Sequence, residues 1–371
     1  MKSGSGQCLW YGVSGEYKSD PKTNMLNQDT NGAIRLFDSN ENIRQGALPQ
    51  DRIVAVIIDP SKALQNQNRN FDNTSLCGKD YSPGQYLDFS ATYNNAVLSG
   101  GDLDIDDFIS GGVNTDQQVP AFNDQMVFIT REELWNAVQS RKDFVDDPDS
   151  AMRRQTMALA MCIAAYGNNS GNRKLPRPGV VDFSGADYRL DSNYNDSVAV
   201  SYLGRYPFTV DDSDAALGGY APNAAEDILF NKGYCSTLAV PGGPVINLDT
   251  AAQDEGYQTW KHWKDHFFYA VSSYYAPANG AAAIPSECGP ADCVVVNGVK
   301  YAAVVLFAGK RVGLQVRDEP IAGDADTKNA LANYIEVNNP AGDGTGDYTP
   351  TGNDVAFCIT DADPFAVVSC P

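Results

Sequence analysis

Two histidines, His262 and His266, are the only ones in 371 residues. They stand four apart, the spacing at which one helical face can hold a metal ion. The segment between them, Trp263-Lys264-Asp265, lacks the glutamate of a zinc protease motif, and two imidazoles that are solvated or packed among aromatic rings are the simpler account of the pair. A Ser-His-Asp triad would have to use one of them, but no Gly-x-Ser-x-Gly elbow presents a serine. Gly100-Gly101 and Gly111-Gly112 do not run on into Gly-Lys-Ser/Thr, so no phosphate loop is read. Hard oxygen ligands cluster at Asp343-x-x-x-Asp347 leading to Asp354, at Asp102-x-Asp104-x-Asp106-Asp107 and at Asp191-x-Asn193-x-Asn195-Asp196. Calcium is the cation such loops take, and Asp343, Asp347 and Asp354 are the candidate set. None has the full EF-hand spacing, and Asp and Asn also favour turns with no metal at all. No other cofactor and no catalytic residue is indicated. A pair of facing carboxylates for glycoside hydrolysis would be a three-dimensional property, invisible in sequence.

Cys8, Cys77, Cys162, Cys235, Cys288, Cys293, Cys358 and Cys370 form an even set with no CxxC pair and no histidine cluster beside them, which argues against zinc or dithiol redox chemistry. Disulfides in an oxidising compartment are expected. The adopted pairings are Cys8–Cys77, Cys162–Cys235, Cys288–Cys293 and Cys358–Cys370, the third enclosing a turn. The formal charge is 27 − 47 = −20, which repels phosphate backbones and anionic lipid alike, so nucleic acid is not an expected partner. No stretch reaches the ~18 apolar residues that span a bilayer, and no apolar run follows Lys2. Met1 to Gly6 reads as a flexible start, with any signal or anchor removed or carried by another polypeptide.

An internal repeat organises the rest. Residues 52–58 align without gaps on residues 300–306, an offset of 300 − 52 = 248. The same offset carries Gln67 and Arg69 onto Gln315 and Arg317, and Tyr86-Leu87-Asp88 onto Tyr334-Ile335-Glu336. Upstream, Trp10-Tyr11-Gly12-Val13-Ser14 matches Phe268-Tyr269-Ala270-Val271-Ser272; downstream, residues 123–130 match residues 353–360. Preserved order separates this from the generic likeness of strands. Each apolar run is short, β-branched and bounded by turn residues, which predicts two central strands buried on both faces.

Between the copies, helices are predicted over 131–144, with a Thr130–Glu133 capping box, and over 150–166, with Met157, Met161 and Ala164-Ala165 on one stripe. A third is predicted over 257–275, where Trp260, Trp263, Phe267 and Val271 fall at spacings of three and four. Residues 167–256 read as long loops with few strands.

Cys8-Leu9-Trp10-Tyr11-Gly12-Val13-Ser14, Asp51 to Ile57, Gln67-Asn68-Arg69, Tyr86-Leu87-Asp88 and Phe122 to Leu134 resemble the globular part of large bacterial type IV pilin-like and type II secretion pseudopilin-like proteins, most clearly over residues 8–145. The helix ending Ala164-Ala165-Tyr166-Gly167-Asn168-Asn169 is similar to a pilin helix running into its sheet. The resemblance implies an α+β fold with two duplicated pilin-like lobes on antiparallel sheets, residues 1–145 (lacking the N-terminal stalk helix) and 146–371 (with a helix at about 150–167). It implies a non-enzymatic structural or adhesive head of a pilus or pseudopilus fibre, exported through the periplasm to the cell surface. Its partners would be other pilin subunits, including a separate short chain supplying the stalk. A free secreted adhesin or carbohydrate-binding module, with a loop pocket lined by Tyr and Trp, and a secreted glycoside hydrolase are the alternatives.

Overall fold

The computed structural model describes residues 6–18, 25–65, 67–69, 82–98, 104–111, 122–170, 173–183, 186–196, 201–210, 227–277, 288, 292–317, 327–335, 347–350 and 353–371. Helices and largely antiparallel sheets combine in an α+β chain that divides between Ala137 and Val138 into two units.

In the first unit, β1 (Trp10–Val13), β2 (Ile34–Phe37), β3 (Ile43–Gln45), β4 (Ile53–Asp59), β5 (Asp106–Ile109) and β6 (Gln125–Thr130) form one sheet. β4, the β-branched run, lies antiparallel between β1 and β6, so Trp10, Ile58 and Met126 stand in one cross-strand row and Tyr11, Ile57 and Val127 in the next. β2 and β3 form a hairpin, Ile34 of β2 meets Ile53 of β4, and β5 runs parallel to β2. Because side chains alternate across a sheet, one face sends Val56, Ile58, Trp10, Met126 and Phe128 into a core with Ile34, Leu36, Tyr86, Leu87 and Phe108. α1 (Arg131–Gln139) follows β6 at once. Its capping box forms: the Thr130 amide and hydroxyl donate to the Glu133 carboxylate, and the Glu133 amide donates back to the Thr130 hydroxyl.

The second unit begins with α2 (Ala151–Asn169), then β7 (Leu203–Arg205), β8 (Thr209–Val210), β9 (Asp227–Ile228), β10 (Thr237–Leu238), β11 (Ile246–Asn247) and α3 (Glu255–Trp263). There follow β12 (Phe267–Val271), β13 (Val294–Val296), β14 (Val299–Tyr301), β15 (Ala303–Phe307), β16 (Asp347–Tyr348), β17 (Val355–Ile359) and β18 (Val367–Ser369). Its main sheet has the order β18-β17-β15-β12-β7, antiparallel throughout. β13 and β14 form a hairpin and β16 runs parallel to β13. β12 to β17 therefore follow the order of β1 to β6: a flanking strand, a hairpin, a central strand, a strand parallel to the hairpin's first arm, and the other flanking strand; they differ in that β2 joins β4 in one sheet, whereas β13, β14 and β16 form a sheet of their own. The registers agree as well. Phe268, Leu306 and Ala356 form one row and Tyr269, Val305 and Phe357 the next, at the sequence offsets of the repeat.

Several expectations need correction. The third predicted helix stops at Trp263, and Phe267–Val271 is a strand; burial on both faces gives a strand aromatics at any spacing, including one that mimics a helix. Lys264–His266 makes the 3-10 turn between them, so the two histidines do not share a helical face. The strand expected to be buried on both faces in each copy is so in β15 but not in β4, where Ile57 is exposed. On α2 the buried positions run nearly all round, including Leu159, Cys162, Ile163 and Tyr166, while Met157 and Met161 are half-buried. Among the described residues of 167–256 there are five strands of two or three residues, β7 to β11, between loops.

Candidate functional site: the uncovered face of the first sheet

The guanidinium clamps behind the two central strands are built from the same sequence offsets. In the first unit, Arg69 donates from Nε to the Gln85 carbonyl (2.9 Å), from Nη1 to Ser61 O (2.7 Å) and from Nη2 to Tyr86 O (3.0 Å) and the Gln67 side chain, with its guanidinium 4.9 Å from the Tyr86 ring centroid. In the second, Arg317 donates from Nε to Asn333 O, from Nη1 to Gly309 O (2.8 Å) and from Nη2 to Gln315 Oε1 (2.7 Å) and Tyr334 O (3.3 Å), 4.7 Å from the Tyr334 ring centroid. Asn123 and Asn353 likewise donate their amides to Lys62 O and Lys310 O. Five planar donors on Arg suit this tying of loop carbonyls to a sheet edge, so the Gln-x-Arg motif is structural.

The opposite faces of the two central sheets differ. In the second unit Tyr269, Val305 and Phe357 are 0 %, 0 % and 3 % exposed. α2 lies on β15 and β17, with the Arg153 guanidinium 5.2 Å from the Phe357 ring centroid, and the Cys162–Cys235 disulfide ties the helix to the segment below β10. In the first unit the corresponding Tyr11, Ile57 and Val127 are 67 %, 46 % and 73 % exposed. The adjoining row, Val13, Ala55 and Ile129, is half-buried. An apolar row continuous across three strands is what an association surface presents, whereas single exposed apolar residues need no explanation.

The polar groups singled out in sequence mostly hold the fold. Asp347 accepts from the Gly298 amide, and Asp354 accepts from the Gly309 amide and the Tyr348 hydroxyl; Asp343 lies outside the described residues. Asp107 takes a two-pronged bond from Arg35, and Asp102 is likewise outside. Asp191 accepts from Lys264 and Tyr257, and Asn193 donates to Asp187 O. His266 is fully buried, its Nδ1 2.8 Å from Asp265 and its ring against Trp263 and Tyr334. Burial alone would raise the Asp265 pKa, but Lys328 at 2.6 Å and His266 hold it well below the usual carboxylate range. Lys264, Asp265, His266 and Lys328 are buried, Lys264 paired with Asp191 and the other three with one another.

One cluster escaped the sequence reading. Asp88 accepts from the amides of Asn123 and Asp124 (2.7 Å each), while Asp124 accepts from the Asp88 amide (2.8 Å) and from Asn95 (3.1 Å). Each carboxylate keeps one buried oxygen without a hydrogen bond. Burial, and then the charge of Asp88, push Asp124 up to about 7; burial raises Asp88 as well. The residues are 36 positions apart, and each lies in a recurring block, Tyr86-Leu87-Asp88 and Asn123-Asp124, but nothing in the sequence brings the two blocks together.

Cys162–Cys235, Cys288–Cys293 and Cys358–Cys370 are disulfides, as read from sequence. Cys8 is oxidised too, and Cys77, its expected partner, lies outside the described residues. Three cross-links of this kind are consistent with an oxidising, extracytoplasmic setting. Among the described residues no helix is long and apolar enough to cross a membrane. A cleft of about 320 Å³ at the N-terminal ends of α2 and α3 is lined by Arg154, Gln155, Val245, Asp254 and Glu255 among others, without tyrosine or tryptophan. Comparison with family models, with curated proteins and with solved structures finds no match.

Proposed function

We propose that this chain is a non-enzymatic subunit of an extracellular fibre of the type IV pilus or pseudopilus kind, made of two pilin-like lobes copied from one ancestor and acting as its exposed globular head. The observation that carries the reading is the uncovered row Tyr11, Ile57 and Val127, on a sheet whose counterpart is closed by a helix. Duplication is supported by the shared registers and by the two arginine clamps, which no common function of strands requires. Lys264 with Asp191, and Asp265 with His266 and Lys328, are internal pairs that hold the second unit together. Export through the periplasm to the cell surface, with other pilin-like chains as partners, follows from the same reading and accords with the disulfides. Electron microscopy of native surface material, with immunogold labelling of this chain, tests it. Label on filaments or their tips is expected; label confined to free protein in the medium overturns it.

A further inference from the structure

Three cross-strand rows make up the covered face of the second unit's sheet: Val271–Ala303–Ile359, Tyr269–Val305–Phe357 and Phe267–Phe307–Val355. All nine residues are buried. α2 brings small and branched side chains to this unit's interior, among them Ala158, Leu159, Ala160, Ile163 and Ala164. The phenyl ring of Phe307 is closed off separately by Trp263 (5.7 Å between centroids) and Phe144 (6.5 Å).

The same rows in the first unit are Val13–Ala55–Ile129, then Tyr11–Ile57–Val127, then a row in which Asp59 pairs with Gln125. Two rows are apolar and incompletely covered; the third has exchanged two phenylalanine-row positions for a carboxylate and an exposed amide. Strand propensity alone accounts for single Val and Tyr residues, but Tyr11, Ile57 and Val127 stand side by side as one exposed apolar row across three strands. Polar residues enter at the third row, with Asp59 and Gln125.

Resting on the assembly reading above, we propose that the β1–β4–β6 face docks a single helix supplied by a partner polypeptide. That helix presents small and branched apolar side chains over the first two rows and a polar or basic side chain where it passes Asp59 and Gln125. α2 is the internal example of its build, and the third row is where partner and α2 must differ. The specificity of the site lies in Asp59 and Gln125, which discriminate against an all-apolar helix.

The test uses the full chain and two fluorescent peptides, one with the sequence of residues 151–169 and one with the same composition scrambled, read by fluorescence anisotropy. The native-order peptide is expected to bind at least 10-fold tighter than the scrambled one. Ile57→Glu and Val127→Glu, at exposed positions, are each expected to weaken binding at least 10-fold with the melting temperature unchanged, and Tyr11→Ser to weaken it less. Replacing the peptide residue nearest Asp59 by Lys is expected to tighten binding, an effect lost in Asp59→Asn. Equal binding of the two peptides, or binding indifferent to Val127→Glu, overturns the proposal, as does dimerisation of the chain alone that Val127→Glu abolishes. Filaments that still incorporate Val127→Glu protein would leave the fibre reading standing and remove this one; peptide binding without any native filament would do the reverse.

Discussion

The two central sheets share the register of their three middle strands and an arginine clamp, yet one is closed on both faces and the other on one. Ile57 and Val305 occupy equivalent points of β4 and β15, in runs of nearly the same composition, and differ from 46 % to 0 % exposure. What differs is therefore not the strand but what lies upon it. A β-branched strand is compatible with either state; the element that decides is encoded more than a hundred residues away, in α2.

The sharpest way to break this comparison is to place a charge at both positions. Val305→Asp buries an unpaired carboxylate beneath α2 and should cost ~4 kcal/mol or more, losing the second unit's cooperative unfolding in denaturant. Ile57→Asp should stay within ~0.5 kcal/mol of wild type in the same experiment. Similar losses at the two sites would mean that the first face is covered in solution.

Next in size are the clamps. Arg317→Ala leaves several carbonyls without a donor in a fully buried position and should destabilise the second unit by about 3 kcal/mol; Arg69→Ala, at a more accessible site, should cost the first unit about 2 kcal/mol, both read from denaturant midpoints. A loss in one clamp alone would show that the equivalent bonds do not carry equivalent weight.

A third contrast is in pH dependence. Asp124 titrates near 7 in the folded first unit, above its value in an unfolded chain. Its contribution is thus present in full below the usual carboxylate range and is lost as pH rises through about 7. The first unit should lose on the order of a few kcal/mol between pH 4 and pH 8, and Asp124→Asn should flatten that slope. In the second unit the buried Asp265 has the opposite sign, because its pKa is depressed by Lys328 and His266; its contribution is lost only as pH falls below the ordinary carboxylate range.

The smallest effect concerns α1. Thr130→Ala removes the two bonds of the Thr130 hydroxyl, leaves its backbone amide on Glu133, and should lower stability by about 1 kcal/mol in thermal unfolding.

How much of this was legible in sequence follows from where the signals reside. The three repeat blocks could be read because they are flanking and central strands, whose alternate residues must stay apolar in both copies. The hairpins β2–β3 and β13–β14 could not, since three or four residues with little similarity between copies leave nothing to align. Phe267 to Val271 was misread because Trp260, Trp263, Phe267 and Val271 satisfy a helical spacing, while the turn that ends α3 at Trp263 is set by burying Lys264, Asp265 and His266. The disulfides were legible from nearness in sequence for Cys288–Cys293 and Cys358–Cys370; Cys162–Cys235 joins α2 to a segment 73 residues on. The uncovered row was hidden altogether, because exposure is a property of neighbours and not of Tyr11, Ile57 and Val127.

Tyr11 and Tyr269 are equivalent phenols on the two faces, and hydroxyl-radical footprinting of both, in the isolated chain and in native surface material, addresses the central claim most directly. The account predicts that Tyr11 is oxidised readily in the isolated chain and protected in the native assembly, while Tyr269 is protected in both. Tyr11 equally reactive in the two preparations, or already protected in the isolated chain, would contradict it.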